Sequence, residues 1–151
     1  MSAVKATGVA VSAAMAAVGV LHAVWAVTPW PVRDPKEFAE TMIGEGDEMP
    51  PPVACLAVAG MFGTASYLVA SEAGVVPAVG PKALRRLGLR TVSGVMLGRG
   101  IGGLALFGTV IGRTDRFLRM DRRYYSPLCL ALGAGTALVA GRRAGAADRP
   151  Q

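Results

Sequence analysis

Residues 6–30 read ATGVAVSAAMAAVGVLHAVWAVTPW, a run without a single Asp, Glu, Lys or Arg. About 20 predominantly apolar residues cross the hydrocarbon core of a bilayer as a helix, so this run is long enough to span with some tilt. Pro29 and Pro31 mark its end, and Trp25 and Trp30 fall where an aromatic belt sits. A secretory signal core is shorter, roughly 7 to 15 residues, and is removed. Three further apolar runs follow this one, so it reads as a retained span.

The later runs cover residues 51–71, 89–112 and 124–141. The second has no charge. The third carries one in its interior, Arg99, and the fourth is the shortest and is flanked by arginines. The expected fold is an all-α integral membrane protein. It is a four-helix transmembrane bundle forming one domain over residues 1–141, with residues 142–151 as a disordered cytoplasmic tail.

Composition agrees. Of 151 residues, 52% are hydrophobic and 17% charged, and mean hydropathy is +0.44, whereas a soluble domain carries about 25% charged residues. One His and two well-separated Cys supply neither a zinc site nor a Cys-x-x-C redox pair, so neither metal nor cofactor is expected. The net charge of +6 comes from basic residues flanking the apolar runs, not from a patch beside aromatics. The expected partner is the lipid bilayer, not nucleic acid.

Orientation is set by Lys and Arg in the short connections. The first connection is poor in them, while the second carries Lys82, Arg85, Arg86 and Arg90. Both termini are therefore expected in the cytoplasm, at the cell membrane. Small residues recur at a spacing of four: Ala59 and Gly63; Gly94, Gly98 and Gly102; Gly133, Ala137 and Gly141. Such faces let helices approach closely in lipid. They predict the third span as the centre of the bundle and offer a homodimer contact.

Arg99 needs a partner, because arginine at mid-span is costly and faces the bundle interior or a wet cavity. No Asp or Glu lies inside any of the four runs. The candidates are helix carbonyls, His22, Tyr67, an acid from the first connection, or a ligand. His22 and Trp25 are three apart and share a helical face. An imidazole within a span is a candidate for binding or proton relay. Cys55 and Cys129 lie at similar depth, which leaves open whether they pair.

The first connection holds Asp34, Glu37, Glu40, Glu45, Asp47 and Glu48. Asp34-Pro35 suits an N-cap followed by the first helical position, and Gly44 suits a stop. A short interfacial helix over residues 35–43 is expected, with Phe38 and Met42 toward lipid. Its carboxylates read as a solvated face, or as general acids, with Asp34 and Glu37 the candidates beside His22.

The chain resembles a bacterial family of small multi-span membrane proteins, domain of unknown function 3995. The residues that carry the resemblance are Leu21-His22-Ala23-Val24-Trp25-Ala26 with Trp30-Pro31, Arg90-Thr91-Val92 leading to Arg99, and Asp121-Arg122-Arg123-Tyr124-Tyr125-Ser126-Pro127-Leu128-Cys129-Leu130. Val27, Thr28 and Pro29 stand where members often have glycines. The resemblance implies a four-helix membrane protein with His22, Trp25, Arg99, Asp121, Tyr125 and Cys129 at motif positions, and it implies no activity. With the expected topology, His22, Trp25, Tyr125 and, deeper, Arg99 would line an outward pocket near Asp121. Ser126-Pro127 suits the start of the fourth helix.

Two functions follow. The first is a binding or accessory protein that recognises a lipophilic small molecule or a membrane partner through Arg99 and His22. The alternative is a membrane-embedded enzyme acting by acid–base chemistry on an isoprenoid or quinone-like substrate. A transporter or channel is disfavoured, since no inverted repeat or polar stripe is present.

Overall fold

The structure, a computed structural model, describes residues 2–147 and the side chains of residues 2–141. The described residues form helices and no strand. Helix α1 (Ala3–Trp25) starts where the Ser2 hydroxyl accepts the Lys5 N–H. It stops short of the expected residue 30, because Pro29 and Pro31 have no N–H to continue the ladder. Helix α2 (Pro35–Phe38) begins as its spacing predicts, with the Asp34 carboxylate accepting the Glu37 N–H at 2.8 Å. It widens into a π-helical turn, Ala39–Ile43, and ends at Gly44, whose φ of 83° suits a residue without Cβ.

Helix α3 (Pro52–Glu72) matches the second apolar run closely. Helix α4 (Lys82–Leu106) does not match the third. It begins before residue 89, on its basic turns, and ends before residue 112, where Gly108 at φ 82° turns the chain away. The fourth run also starts earlier than expected. Helix α5 (Asp115–Met120) continues through a π-helical turn, Asp121–Tyr125, directly into α6 (Ser126–Ala147).

Pro127 explains the π turn. A proline inside an α-helix removes one N–H and clashes with the carbonyl four residues back, and local widening is a common relief. Ser126 is therefore not an N-cap. Its N–H donates five residues back to the Asp121 carbonyl, and the helix passes through. Helix α6 also runs past residue 141 into the expected tail, and residues 148–151 of that tail lie outside the described residues.

The four long helices, α1, α3, α4 and α6, alternate in direction. Gly8 and Gly19 of α1 lie against Ala73 and Ala59, at opposite ends of α3. Between α4 and α6, Gly100 faces Leu130 and Gly133 faces Leu97, and the Ser93 hydroxyl donates to the Gly133 carbonyl at 2.9 Å. The principal pairings are α1 with α3 and α4 with α6. Helix α6 comes close to each of the other three, whereas among the described residues no Cα of α4 lies within 8 Å of one in α1. The centre of the bundle is thus α6, not the third span as expected.

The small-residue faces need a matching correction. Gly94, Gly98 and Gly102 have open space where a Cβ would stand, and α4 packs instead through Leu89, Ser93, Gly100 and Gly103. The small residues that meet a neighbour, Ser93, Gly100 and Gly103, are seven and three apart, and spacing alone does not say which face of a glycine-rich helix is packed. Inside, Met15, Val69, Leu89, Leu132 and Val139 form the core, while Val20, Met61, Leu87, Val95 and Leu138 are exposed.

An apolar exterior of this kind belongs in lipid. Three helices are long and apolar enough to cross a membrane: Ala3–Trp25, Pro52–Glu72 and the continuous Asp115–Gly141. The chain is a multi-pass membrane protein on that ground. Adding volume at a packed glycine costs about 1–3 kcal/mol in a tight interior. Gly133→Leu is expected to destabilise the protein in detergent by that amount and so to lower its unfolding midpoint, with Gly94→Leu near wild type, both read by thermal unfolding of the purified protein.

Candidate functional site

Arg99 does find an acid, and it comes from the third connection. Because α4 ends at Leu106, Arg99 lies about two helical turns from the end, not at mid-span. There the π turn carries Asp121 under it. Arg99 Nη2 donates to Asp121 Oδ1 at 2.6 Å, and the Ser126 hydroxyl donates to Asp121 Oδ2 at 2.6 Å. The Asp121 side chain is 1% exposed, whereas that of Arg99 is 33% exposed. A Cβ on Gly103 would strike Ser126, Arg99 and Asp121, so the pair needs the glycine's open flank.

Around this pair an aromatic chain closes the end of the bundle. The Arg99 guanidinium lies over the Phe107 ring, 4.9 Å from its centroid. Phe107 meets Phe117 at 5.6 Å and Phe117 meets Tyr125 at 5.9 Å. The Tyr125 hydroxyl reaches the π turn after α2, at the Thr41 carbonyl (3.3 Å) and Met42 Sδ (3.0 Å).

His22 and Trp25 belong to a second cluster. His22 Nδ1 donates to the Val18 carbonyl at 2.9 Å, which fixes the proton on that nitrogen. Its ring stacks on Phe62 at 5.7 Å and meets Trp25 at 4.7 Å. Trp25 in turn meets Phe38 at 5.0 Å and donates from Nε1 to the Trp30 carbonyl. Phe38 is 1% exposed. It therefore faces the protein, not lipid as expected, and Met42 is likewise engaged by Tyr125. No hydrogen bond or ring contact joins the two clusters among the described residues. Tyr67, the other expected partner of Arg99, donates to the Pro77 carbonyl instead.

Two acids of the first connection are paired with two arginines of the third. Arg116 Nη2 meets Glu37 Oε1 at 2.7 Å, and Arg113 pairs with Glu45. The Thr114 N–H and hydroxyl donate to the Gly44 and Glu40 carbonyls. The Arg33 backbone N–H and, next, the Arg116 guanidinium hold the Glu37 carboxyl below the ordinary carboxylate range. Glu37 is thus a carboxylate at neutral pH, and Asp34 is occupied as a cap. Cys55 and Cys129 are both free thiols.

A further feature has no counterpart among the expected site residues. Between α3 and α4, which barely touch, runs an apolar groove of about 920 Å³. Met61, Phe62, Thr64 and Leu68 line it from α3 and Thr91, Val95 and Met96 from α4, and the buried Met15 of α1 also lines it. Arg85 stands at one end, beside Val79, Gly80 and Pro81. Sequence reading missed the groove because its signal is the absence of packing, which no residue pattern records.

Removing one member of a buried ion pair strands the other, at a cost of about 3 kcal/mol or more. Arg99→Met, which strands the buried Asp121 carboxylate, is expected to destabilise the protein in detergent by about that much. The double substitution Arg99→Met with Asp121→Leu is expected to recover most of the loss, a coupling read by a double-mutant cycle.

No curated protein and no solved structure matches the chain. The family model described as a protein of unknown function (DUF3995) matches residues 15–136. That span runs from the core methionine of α1, through the Arg99–Asp121 pair, to the buried Thr136 of α6, and on it the chain belongs to this family.

Proposed function

We propose that this protein is a four-span membrane protein that binds a lipophilic molecule in the groove between α3 and α4. The groove carries the reading. Its volume falls within the 300–1,000 Å³ range of ordinary ligand sites, its lining is almost wholly apolar, and it runs alongside α4 for roughly 18 Å from Leu84 to Met96. That length suits an acyl or isoprenoid chain. His22 supports the groove indirectly by stacking on Phe62, and the Arg99–Asp121 pair supports it by holding α4 against α6.

In this reading α4 is the fourth span. Its uncharged lengths are short, but Arg99 is neutralised by Asp121 and the basic first turns extend their heads to the interface. Both termini lie in the cytoplasm, as does the α3–α4 connection. Lys82, Arg85, Arg86 and Arg90 make no ion pair among the described residues, whereas Arg113 and Arg116 of the opposite end are tied to acids. The enzymatic alternative gains no support, since His22, Asp34 and Glu37 are each held by a neighbour.

The topology is tested by replacing Cys55 and Cys129 with Ala and labelling single cysteines in intact cells. Asp47→Cys is expected to react with a membrane-impermeant maleimide, and Ala78→Cys only after the membrane is opened. The opposite pattern reverses the orientation. The binding is tested at Gly60, which lines the groove and has open space where a Cβ would stand. Gly60→Phe is expected to keep the wild-type unfolding midpoint while losing most of the lipid that co-purifies. Unchanged co-purifying lipid would sink the reading.

A further inference from the structure

Building on the groove as a lipophile site, we infer that its occupant is an uncharged lipid, with neutral oxygens but neither phosphate nor ammonium, and that Thr91 hydrogen-bonds one of those oxygens. The connection between α3 and α4 fixes the end of the groove. Tyr67, five residues before the end of α3, donates its hydroxyl to the Pro77 carbonyl at 2.9 Å and accepts the Val79 N–H at 3.1 Å. From the α4 side, Arg85 Nη1 donates to the Gly80 carbonyl at 2.6 Å. Gly80, at φ 83°, turns the chain between these two latches, and Val79, Gly80 and Pro81 line the groove there. The end is a wall of chain fastened to both helices.

What lies short of that wall decides the charge of a ligand. Among the described residues that line the groove, Arg85 is the only charged one. It is committed to the wall, since Nη1 holds Gly80 and Nε is buried within the protein. Between Thr91 and the wall the lining is Leu84, Leu87 and Gly88 of α4 and Leu68 of α3. A phosphate or ammonium there would leave water and gain almost no partner, which is strongly disfavoured. A neutral oxygen costs far less to bring in, provided it finds a donor.

One donor is present. Thr64 and Thr91 carry the two hydroxyls on the groove, and that of Thr64 is taken by the Gly60 carbonyl at 2.9 Å. Thr91 is exposed, makes no hydrogen bond among the described residues, and stands about midway between Leu84 and Met96. Hydrocarbon offers a hydroxyl no acceptor. A carbonyl or hydroxyl oxygen of the occupant supplies one.

The test uses the full chain in nanodiscs of dioleoylphosphatidylcholine, doped in separate arms with dioleoylglycerol or with menaquinone, followed by native mass spectrometry of the lipid that stays bound. Dioleoylglycerol and the disc lipid share their acyl chains, so only the head differs. Wild type is expected to enrich at least one of the uncharged lipids about tenfold over its share of the disc, the scale of one buried polar group left unpaired. The arm that enriches identifies the source of the oxygen. Thr91→Val keeps the shape without the hydroxyl, and is expected to keep the wild-type unfolding midpoint while the enrichment falls most of the way to unity. Thr64→Val, whose hydroxyl is already taken, is expected to match wild type. Tyr67→Phe frees the wall and is expected to lose selectivity against phosphatidylcholine with total lipid unchanged.

Bound lipid in the disc's own proportions in both arms overturns the inference, as does an enrichment that survives Thr91→Val or falls equally in Thr64→Val. If Gly60→Phe removes lipid while wild type shows no enrichment, the groove stands and the uncharged occupant does not. If Gly60→Phe removes no lipid, the groove reading itself fails. A lipid-free dimer that Gly60→Phe abolishes places a second copy in the groove and overturns both.

Discussion

A fully buried carboxylate must be neutralised, and in this protein the neutralising of Asp121 organises one end of the molecule. The carboxylate sits in a π-helical turn because Pro127 follows and the helix has to widen before it. One oxygen takes the Ser126 hydroxyl and the other takes Arg99 from the neighbouring helix. Neither ion is tolerable alone in an apolar bundle. Together they lock the register of α4 on α6, and Gly103 leaves the space that the lock occupies.

From that lock the two ends of the bundle diverge. At the Asp121 end, connections far apart in sequence close on each other through Arg116 and Glu37, Arg113 and Glu45, and the Thr114 contacts with Glu40 and Gly44. Exposed pairs of this kind contribute little one at a time. Here they accompany an aromatic chain from Phe107 to Tyr125, which gives the cap its own packed interior. At the other end, α3 and α4 separate around a groove, and Lys82, Arg85, Arg86 and Arg90 make no ion pair among the described residues. Glu37 and Glu45 are paired within the cap, and every described acid except Glu72 lies at the cap end.

The interior of the bundle follows the logic of packing in lipid. Lipid tails are as apolar as leucine, so helices gain little by burying apolar surface against each other and gain mainly by close approach. Gly8, Gly19, Gly100 and Gly133 provide that approach at the α1–α3 and α4–α6 contacts. At the α3–α4 contact Gly88 meets Leu68, but Gly60 and Gly63 stand open, and the helices part there.

Much was legible in the residues. The uncharged runs at 6–30 and 51–71 specify membrane helices because charge is excluded from hydrocarbon over that length, and Asp34-Pro35 with Gly44 specifies a short helix because its caps are local chemistry. The resemblance to the family rested on Trp25, Arg99 and the Asp121 to Leu130 segment, and the family match runs through all of them. The sequence by itself therefore determined the solvent, the helical class and that Arg99 needs a partner. Only the tertiary structure decided that the partner is Asp121, that α6 is the central helix, that Gly100 and not Gly98 meets a neighbour, and that α3 and α4 stand apart. The reason is physical. Charge, capping and helix-forming tendency act within a few residues along the chain, whereas the choice of partner, packing face and gap depends on how elements far apart in sequence are rotated against one another.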